Sequence, residues 1–117
     1  MKDTGEHIKR VRRIAMAMPG VEEKLSHGAP TFFAKKKVFV MFANNHHDDG
    51  HIAVWIPTPP GEQELLIHTN PKTYFRPPYV GVKGWVGVEI PEIGDDELGA
   101  HIHEAWRIVT APKPKRA

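Results

Sequence analysis

The chain predicts an α+β domain. Apolar residues recur at helical spacing near both ends, and between about residues 25 and 90 the texture is one of short β-branched and aromatic runs broken by Gly, Pro and Asn. A length of 117 residues, 40% hydrophobic and 26% charged, sets the scale at one domain. A folded chain of that size buries roughly two-thirds of the surface its unfolded form exposes, so it needs no staples and is not disordered as a whole.

The first element is a helix. Ile8, Val11, Ile14 and Met18 recur at steps of three and four and share one stripe, predicted to face a sheet, while Arg10, Arg12 and Arg13 lie elsewhere around it. Asp3 with Glu6 three residues on resembles a capping box, and Pro19-Gly20 supplies the stop. Thr31 to Ala34 and Val38 to Ala43 then read as two strands joined at Lys35-Lys36-Lys37. A two-residue hairpin of type I′ needs positive φ and favours Gly or Asn; with neither present, the connection is expected to be longer or strained. Asn44 to Gly50 forms a polar loop ending in the turn pair Asp49-Gly50, and His51 to Ile56 alternates as a third strand in meander order.

Pro57 to Pro60 closes that strand. Gly61 to Thr69 is ambiguous between helix and strand; its start Glu62-Gln63-Glu64 before Leu65-Leu66-Ile67 favours a helix. An aromatic and proline-rich connection, Thr73 to Tyr79, leads into a β-rich run from Val80 to Ile90 that Lys83-Gly84 interrupts, where Gly81, Gly84 and Gly87 suggest bends or close backbone approach. The last element is a helix from Asp95 to Thr110, with Leu98, Ile102, Ala105 or Trp106, and Val109 on one face. Its opening acids Asp95, Asp96 and Glu97 stand where the helix dipole favours negative charge. The domain spans 1–111, and the prolines of 112–117 end the helix and leave a basic tail.

Several function classes drop out. No run approaches the ~18 apolar residues of a membrane span, and Met1 to Pro19 lacks a signal-peptide core, so a cytoplasmic protein with no membrane partner is expected. With no cysteine there is no disulfide, thiolate metal site or Cys nucleophile. No phosphate-cradling glycine motif precedes a helix, and no nucleophile elbow surrounds Ser26-His27; an enzyme is not expected, and no catalytic residue or cofactor is assigned. His46-His47-Asp48-Asp49-Gly50-His51 holds metal-ligating residue types, but adjacent side chains in extended chain diverge, so it reads as a solvated loop that takes up nickel or copper adventitiously. His101 and His103 diverge by about 200° on a helix and cannot chelate one ion from one face.

The net charge of +2 is polarised. Residues 1–20 carry +3, 21–60 balance, 61–94 carry −1, 95–110 carry −3 and the tail 111–117 carries +3, so the alkaline balance belongs largely to the tail. Three features nevertheless suit nucleic acid. Lys35, Lys36 and Lys37 stand at a hairpin tip from which ammonium groups reach phosphates. Lys72, Arg76 and Lys83 bracket Tyr74, Phe75, Tyr79 and Trp85, an interleaving that either stacks on bases or packs a loop. Arg10, Arg12 and Arg13 with the Lys-Pro-Lys-Arg tail could release counterions without reading sequence.

The ordered motifs Met18-Pro19-Gly20-Val21-Glu22-Glu23, His27-Gly28-Ala29-Pro30-Thr31-Phe32, Lys37-Val38-Phe39, Phe75-Arg76-Pro77-Pro78-Tyr79-Val80-Gly81, Lys83-Gly84-Trp85-Val86-Gly87-Val88 and Ala105-Trp106-Arg107 resemble the MmcQ/YjbR family of small bacterial proteins over about residues 7–111. The resemblance implies a CyaY-like arrangement, a twisted antiparallel sheet with N-terminal and C-terminal helices packed against it. It also implies the label usually attached to such proteins, DNA-binding of double-wing type, although a fold does not establish a function. Lys35-Lys36 departs from the Gly or Asn usual in the family before the lysine at 37. The leading expectation is a non-enzymatic module contacting DNA phosphates through Lys35, Lys36, Lys37, Lys72, Arg76 and Lys83, with Tyr79 and Trp85 shaping the surface. Alternatives are a protein-interaction module anchored on Thr73 to Tyr79, a metal held by Asp95, Asp96 and Glu97, and a small-molecule enzyme. Exposed strand edges allow a monomer or weak homodimer.

Overall fold

The computed structural model describes residues 5–112, apart from the side chain of His47. Helix α1 (Glu6–Ala15) is followed by strands β1 (Val21–Ser26), β2 (Ala29–Ala34), β3 (Lys37–Asn44) and β4 (Ile52–Ile56), then α2 (Glu62–Thr69), β5 (Tyr74–Phe75), β6 (Val86–Glu89) and α3 (Asp95–Thr110), with short 3-10 turns at His46–Asp48, Val80–Lys83 and Ile90–Glu92. The six strands form one sheet in the order β1-β2-β3-β4-β6-β5. Every neighbouring pair is antiparallel. The α+β expectation and both terminal helices hold, and Asp3, the expected start of α1, lies outside the described residues.

Period-two alternation divides the sheet into two faces. On the helix-covered face Phe32, Val40, Phe42, Val54, Ile56, Val86 and Val88 meet Val11 and Ala15 of α1 and Leu98, Ile102 and Ala105 of α3 in one apolar core. Ile8, Ile14 and Met18 pack at its margin, as their helical spacing predicts. The opposite, outer face carries Thr31, Ala43, Ala53, Trp55 and Gly87, covered in part by the segments around His46 and Arg76–Tyr79. A bulge at Phe32/Phe33 pairs Phe32 with Val40 and Phe33 with Val38, leaving Phe39 as the extra residue, fully buried; bulges of this kind deepen the local twist.

The sequence reading is corrected in two places. Val21–Ser26 is an edge strand, hidden because its residues VEEKLS alternate between half-buried and exposed without an apolar face. Tyr74–Phe75 adds a two-residue strand inside what reads as a connection, and Val80–Lys83 is a 3-10 turn, so the strand in that run is only Val86–Glu89. The ambiguous segment is the helix that its polar start favours, α2, from which Gln63, 3% exposed, sends its amide across to the carbonyls of Gly81 (2.8 Å) and Trp85 (2.5 Å) and so holds that turn.

The three arginines of α1, read as counterion-releasing groups, have protein partners instead. Arg10 donates to Asp95 and to the carbonyls of Ile90 (2.7 Å) and Ile93, tying α1 to the start of α3. Arg13 reaches the other oxygen of Asp95 at 3.1 Å. Arg12 forms a fork on Glu23, at 2.6 and 2.8 Å. These hydrogen bonds hold the Asp95 and Glu23 carboxyls below the usual carboxylate range. The acids opening α3 therefore act at the helix N-terminus and across it: Asp95 clasps α1, and Glu97 accepts the Tyr74 hydroxyl at 3.1 Å.

Candidate nucleic-acid interface

The β2–β3 connection is a two-residue turn made of Lys35 and Lys36 alone, closed by the Ala34–Lys37 pair. Its φ values of 51° and 65° put two lysines in the left-handed region that a type I′ hairpin imposes, so the strained alternative is the one realised. Lys35 lies over the end of α3 and donates from Nζ to the Thr110 carbonyl at 3.0 Å, where a helix C-terminus favours a cation. Lys36 is exposed and forms no ion pair among the described residues, and Lys37 is exposed at the first position of β3.

Beneath this tip a groove of about 1000 Å³ is lined by Pro19, Gly20, Glu22, Lys24, Phe33, Ala34, Lys35, Lys36, Trp106 and Thr110. Lys24 lies 5.7 Å from the centroid of the Phe33 ring and 3.5 Å from the Glu22 carboxylate. The Trp106 indole is pinned by its N–H to the Pro19 carbonyl at 3.0 Å and stacks against His103 with centroids 5.9 Å apart. Three ammonium groups thus stand around two aromatic rings with one carboxylate among them. Lys24, Phe33 and Trp106 escape the sequence reading for a physical reason: Lys24 sits on the unrecognised edge strand, Trp106 reads as part of the apolar face of the last helix, and Phe33 is one of two adjacent aromatics in a strand whose faces the sequence alone does not assign.

The remaining predicted residues do not join this groove. Arg76 and Tyr79 line a separate hollow of about 280 Å³ on the outer face with His46, Asp49, His51, Phe75 and Pro78. There the Phe75 ring stacks on His51 at 3.9 Å, and His51 Nδ1 is bonded to Glu89. Tyr79 is 68% exposed and edges onto His46 at 6.0 Å. Lys72 is exposed near Glu92, with 3.5 Å between charged atoms, and Lys83 is exposed on the 3-10 turn. Trp85 is half-buried and holds the turn through its backbone carbonyl, so it packs the protein. Because β3 and β6 run in the same direction from the same end of the sheet, Lys83 leaves from the end that carries the hairpin tip, while Lys72 precedes β5 at the opposite end. The expected single basic surface is therefore split.

Of the histidines on α3, His101 leans inward. Its Nε2 lies 2.7 Å from the Tyr74 hydroxyl, which donates to Glu97; burial lowers the His101 pKa against the pull of Glu97 and Glu62. Burial, reinforced by Glu97, pushes the Tyr74 phenol up to about 12. Among the described residues no group of three or more His, Asp or Glu side chains is placed to hold a metal ion, and no helix is long and apolar enough to cross a membrane.

Helices on one face of an antiparallel sheet, with a lysine-tipped hairpin beside the last helix, define a compact α+β module. The YjbR family profile matches residues 16–108, and the chain belongs to the YjbR family. Its backbone is similar to the crystal structure of the Deinococcus radiodurans protein DR2400, a DUF419 domain, with a TM-score of 0.75 at 16% identity over 89% of this chain and 78% of that one. No curated protein matches the chain.

Proposed function

We propose that the protein is a non-enzymatic module that binds nucleic acid through the groove under the β2–β3 hairpin, with Lys35 and Lys36 on phosphates and the Phe33 and Trp106 rings beside the bases. One observation carries this reading: the tip lysines and two aromatic rings line one groove, the pairing of backbone charge and stacking surface that sequence-tolerant binders of single strands use. Lys83, at the same end of the sheet, extends the basic edge, whereas Lys72 and Arg76 contribute little.

The test is fluorescence anisotropy with labelled single-stranded and duplex DNA across a salt series. It compares the full chain, the double variant Lys35→Glu/Lys36→Glu, and a variant with Lys113, Lys115 and Arg116 changed to alanine. Two or three phosphate contacts at the groove give a logarithmic salt slope of roughly −1.4 to −2.7, at ~0.7–0.9 per contact, lost in the hairpin variant and kept in the tail variant. Affinity unchanged by the hairpin reversal, or abolished by the tail change alone, would remove the groove from consideration. A second reading has one observation in its favour: Tyr79 and Val82, large apolar side chains of neighbouring sequence, are 68% and 77% exposed, which suits a protein partner whose binding would be insensitive to salt and lost in Tyr79→Ala.

A further inference from the structure

The sheet has two edges, β1 and β5, and they are built differently. β5 is two residues long and runs into Pro77-Pro78, so it offers a second strand little ladder. β1 is six residues long and pairs with β2 without a break from Val21 to Ser26. Along its other side it forms no hydrogen bond with any described segment, which leaves a row of outward N–H and C=O groups as a template for one more strand.

The side chains of that edge divide by face. On the outer face stand Glu22 and Lys24, 69% and 65% exposed and 3.5 Å apart, a weak ion pair along one strand. On the helix-covered face stand Val21, packed at the margin of the core, Glu23 in the Arg12 fork, and Leu25, an apolar side chain 76% exposed. Charges on an edge ordinarily keep strands apart, because an arriving strand leaves them without partners. A second copy of β1 brings the opposite sign to each of them.

The register follows from the backbone. In an antiparallel ladder two opposite residues both turn their backbone groups towards each other or both away, and in β1 these orientations alternate; a two-fold axis therefore passes through a residue and not between two. Two such axes keep five residues of each copy paired, one through Glu23 and one through Lys24. The axis through Lys24 sets that ammonium against its own copy and Glu23 against Leu25. The axis through Glu23 sets Glu22 against Lys24 twice over and Val21 against Leu25 twice over, so every exposed charge meets its opposite and each exposed leucine extends the other copy's core margin. The two Glu23 carboxylates then face each other, but each is already held by its own Arg12 at 2.6 and 2.8 Å.

We propose that two copies of this chain pair β1 against β1, antiparallel about a two-fold axis at Glu23, joining two six-stranded sheets into one. The contact is small, so one chain and two exchange reversibly with concentration. It uses neither Lys35 nor Lys36 and needs no nucleic acid, so it stands or falls separately from the proposed ligand of the groove.

The experiment is sedimentation equilibrium of the full chain, without nucleic acid, over a concentration series. The mass is expected to rise from that of one chain towards that of two. Lys24→Glu and Glu22→Lys each set like charges across the axis at two places and should weaken association by roughly tenfold. Both side chains are exposed, so the substitutions leave the fold in place, which circular dichroism checks. An equimolar mixture of the two variants, and the double variant Glu22→Lys/Lys24→Glu, bring opposite signs back together and should restore the association of the parent. A mass that stays at one chain up to about 1 mM leaves the edge to a strand from a different protein and overturns the proposal. Association that the single variants leave unchanged, or that neither the mixture nor the double variant restores, overturns it as well, because the contact would then lie elsewhere on the molecule.

Discussion

Gly87 is the position where a single methyl group tests the packing of the outer face. It sits in the middle of β6 beneath the Phe75 ring, and a Cβ added there would lie 2.4 Å from Cζ and 2.6 Å from Cε1 and Cε2. Carbon atoms at rest keep roughly 3.5–4.0 Å apart, so in Gly87→Ala the ring must retreat by about 1 Å or more. That retreat separates Phe75 from His51, now stacked at 3.9 Å with planes 7° apart. Overpacking of this kind costs ~1–3 kcal/mol. Against it stands the ~0.5–1 kcal/mol that alanine gains over glycine within a strand. The net is a destabilisation of about 1–2 kcal/mol, which in urea, at a mid-range m-value of ~2 kcal/mol/M, lowers the midpoint by about 0.5–1 M. The control is the same change in a Phe75→Ala background, where the clash is gone and the strand term alone remains, so Gly87→Ala should become neutral or stabilising. Equal destabilisation in both backgrounds would refute the reasoning, because the cost would then not come from the ring; so would a Gly87→Ala protein as stable as the parent.

Two further outcomes follow from the backbone and from burial. Lys36→Gly should stabilise the fold by about 0.5–1 kcal/mol, the left-handed penalty of a lysine at φ 65° less the greater unfolded freedom of glycine; a lowered thermal midpoint would refute the strained-turn account. Tyr74 should give a phenolate absorbance step at about 12 that vanishes in Tyr74→Phe. Its folded pKa is raised above the ordinary 10, so its contribution to stability is intact below pH 10 and is lost as pH rises through about 12. A Tyr74 step at 10 in the folded protein would show that the phenol is not buried against Glu97.

What was legible in the sequence was local. The stripe Ile8, Val11, Ile14 and Met18 announced a helix with one buried face, and Asp95 to Thr110 announced another, because a 3.6-residue period reports burial directly. The want of Gly or Asn between Ala34 and Lys37 announced a strained or lengthened turn, since sign of φ is a property of one residue. The crowding expected at Gly81 and Gly87 is real, but its agents, the Arg76 side chain and the Phe75 ring, come from another segment.

What only the tertiary structure decided concerns pairing and partners. An edge strand as charged as Val21–Ser26 is held by its ladder to β2, so neither it nor the groove it borders can be read from its own residues. Arg10, Arg12 and Arg13 look like free cations until α1 is set beside Asp95 and Glu23, which stand 85 and 11 residues away from Arg10 and Arg12 respectively. The eight residues from Lys35 to Trp85 that composition groups as one basic, aromatic surface are divided because strand order places β4 and β6 between the hairpin and Arg76. Composition fixes how much charge and aromatic surface a chain of this length carries. Which of it is neutralised, buried or left facing one groove depends on distances that exist only after the sheet has closed over its core.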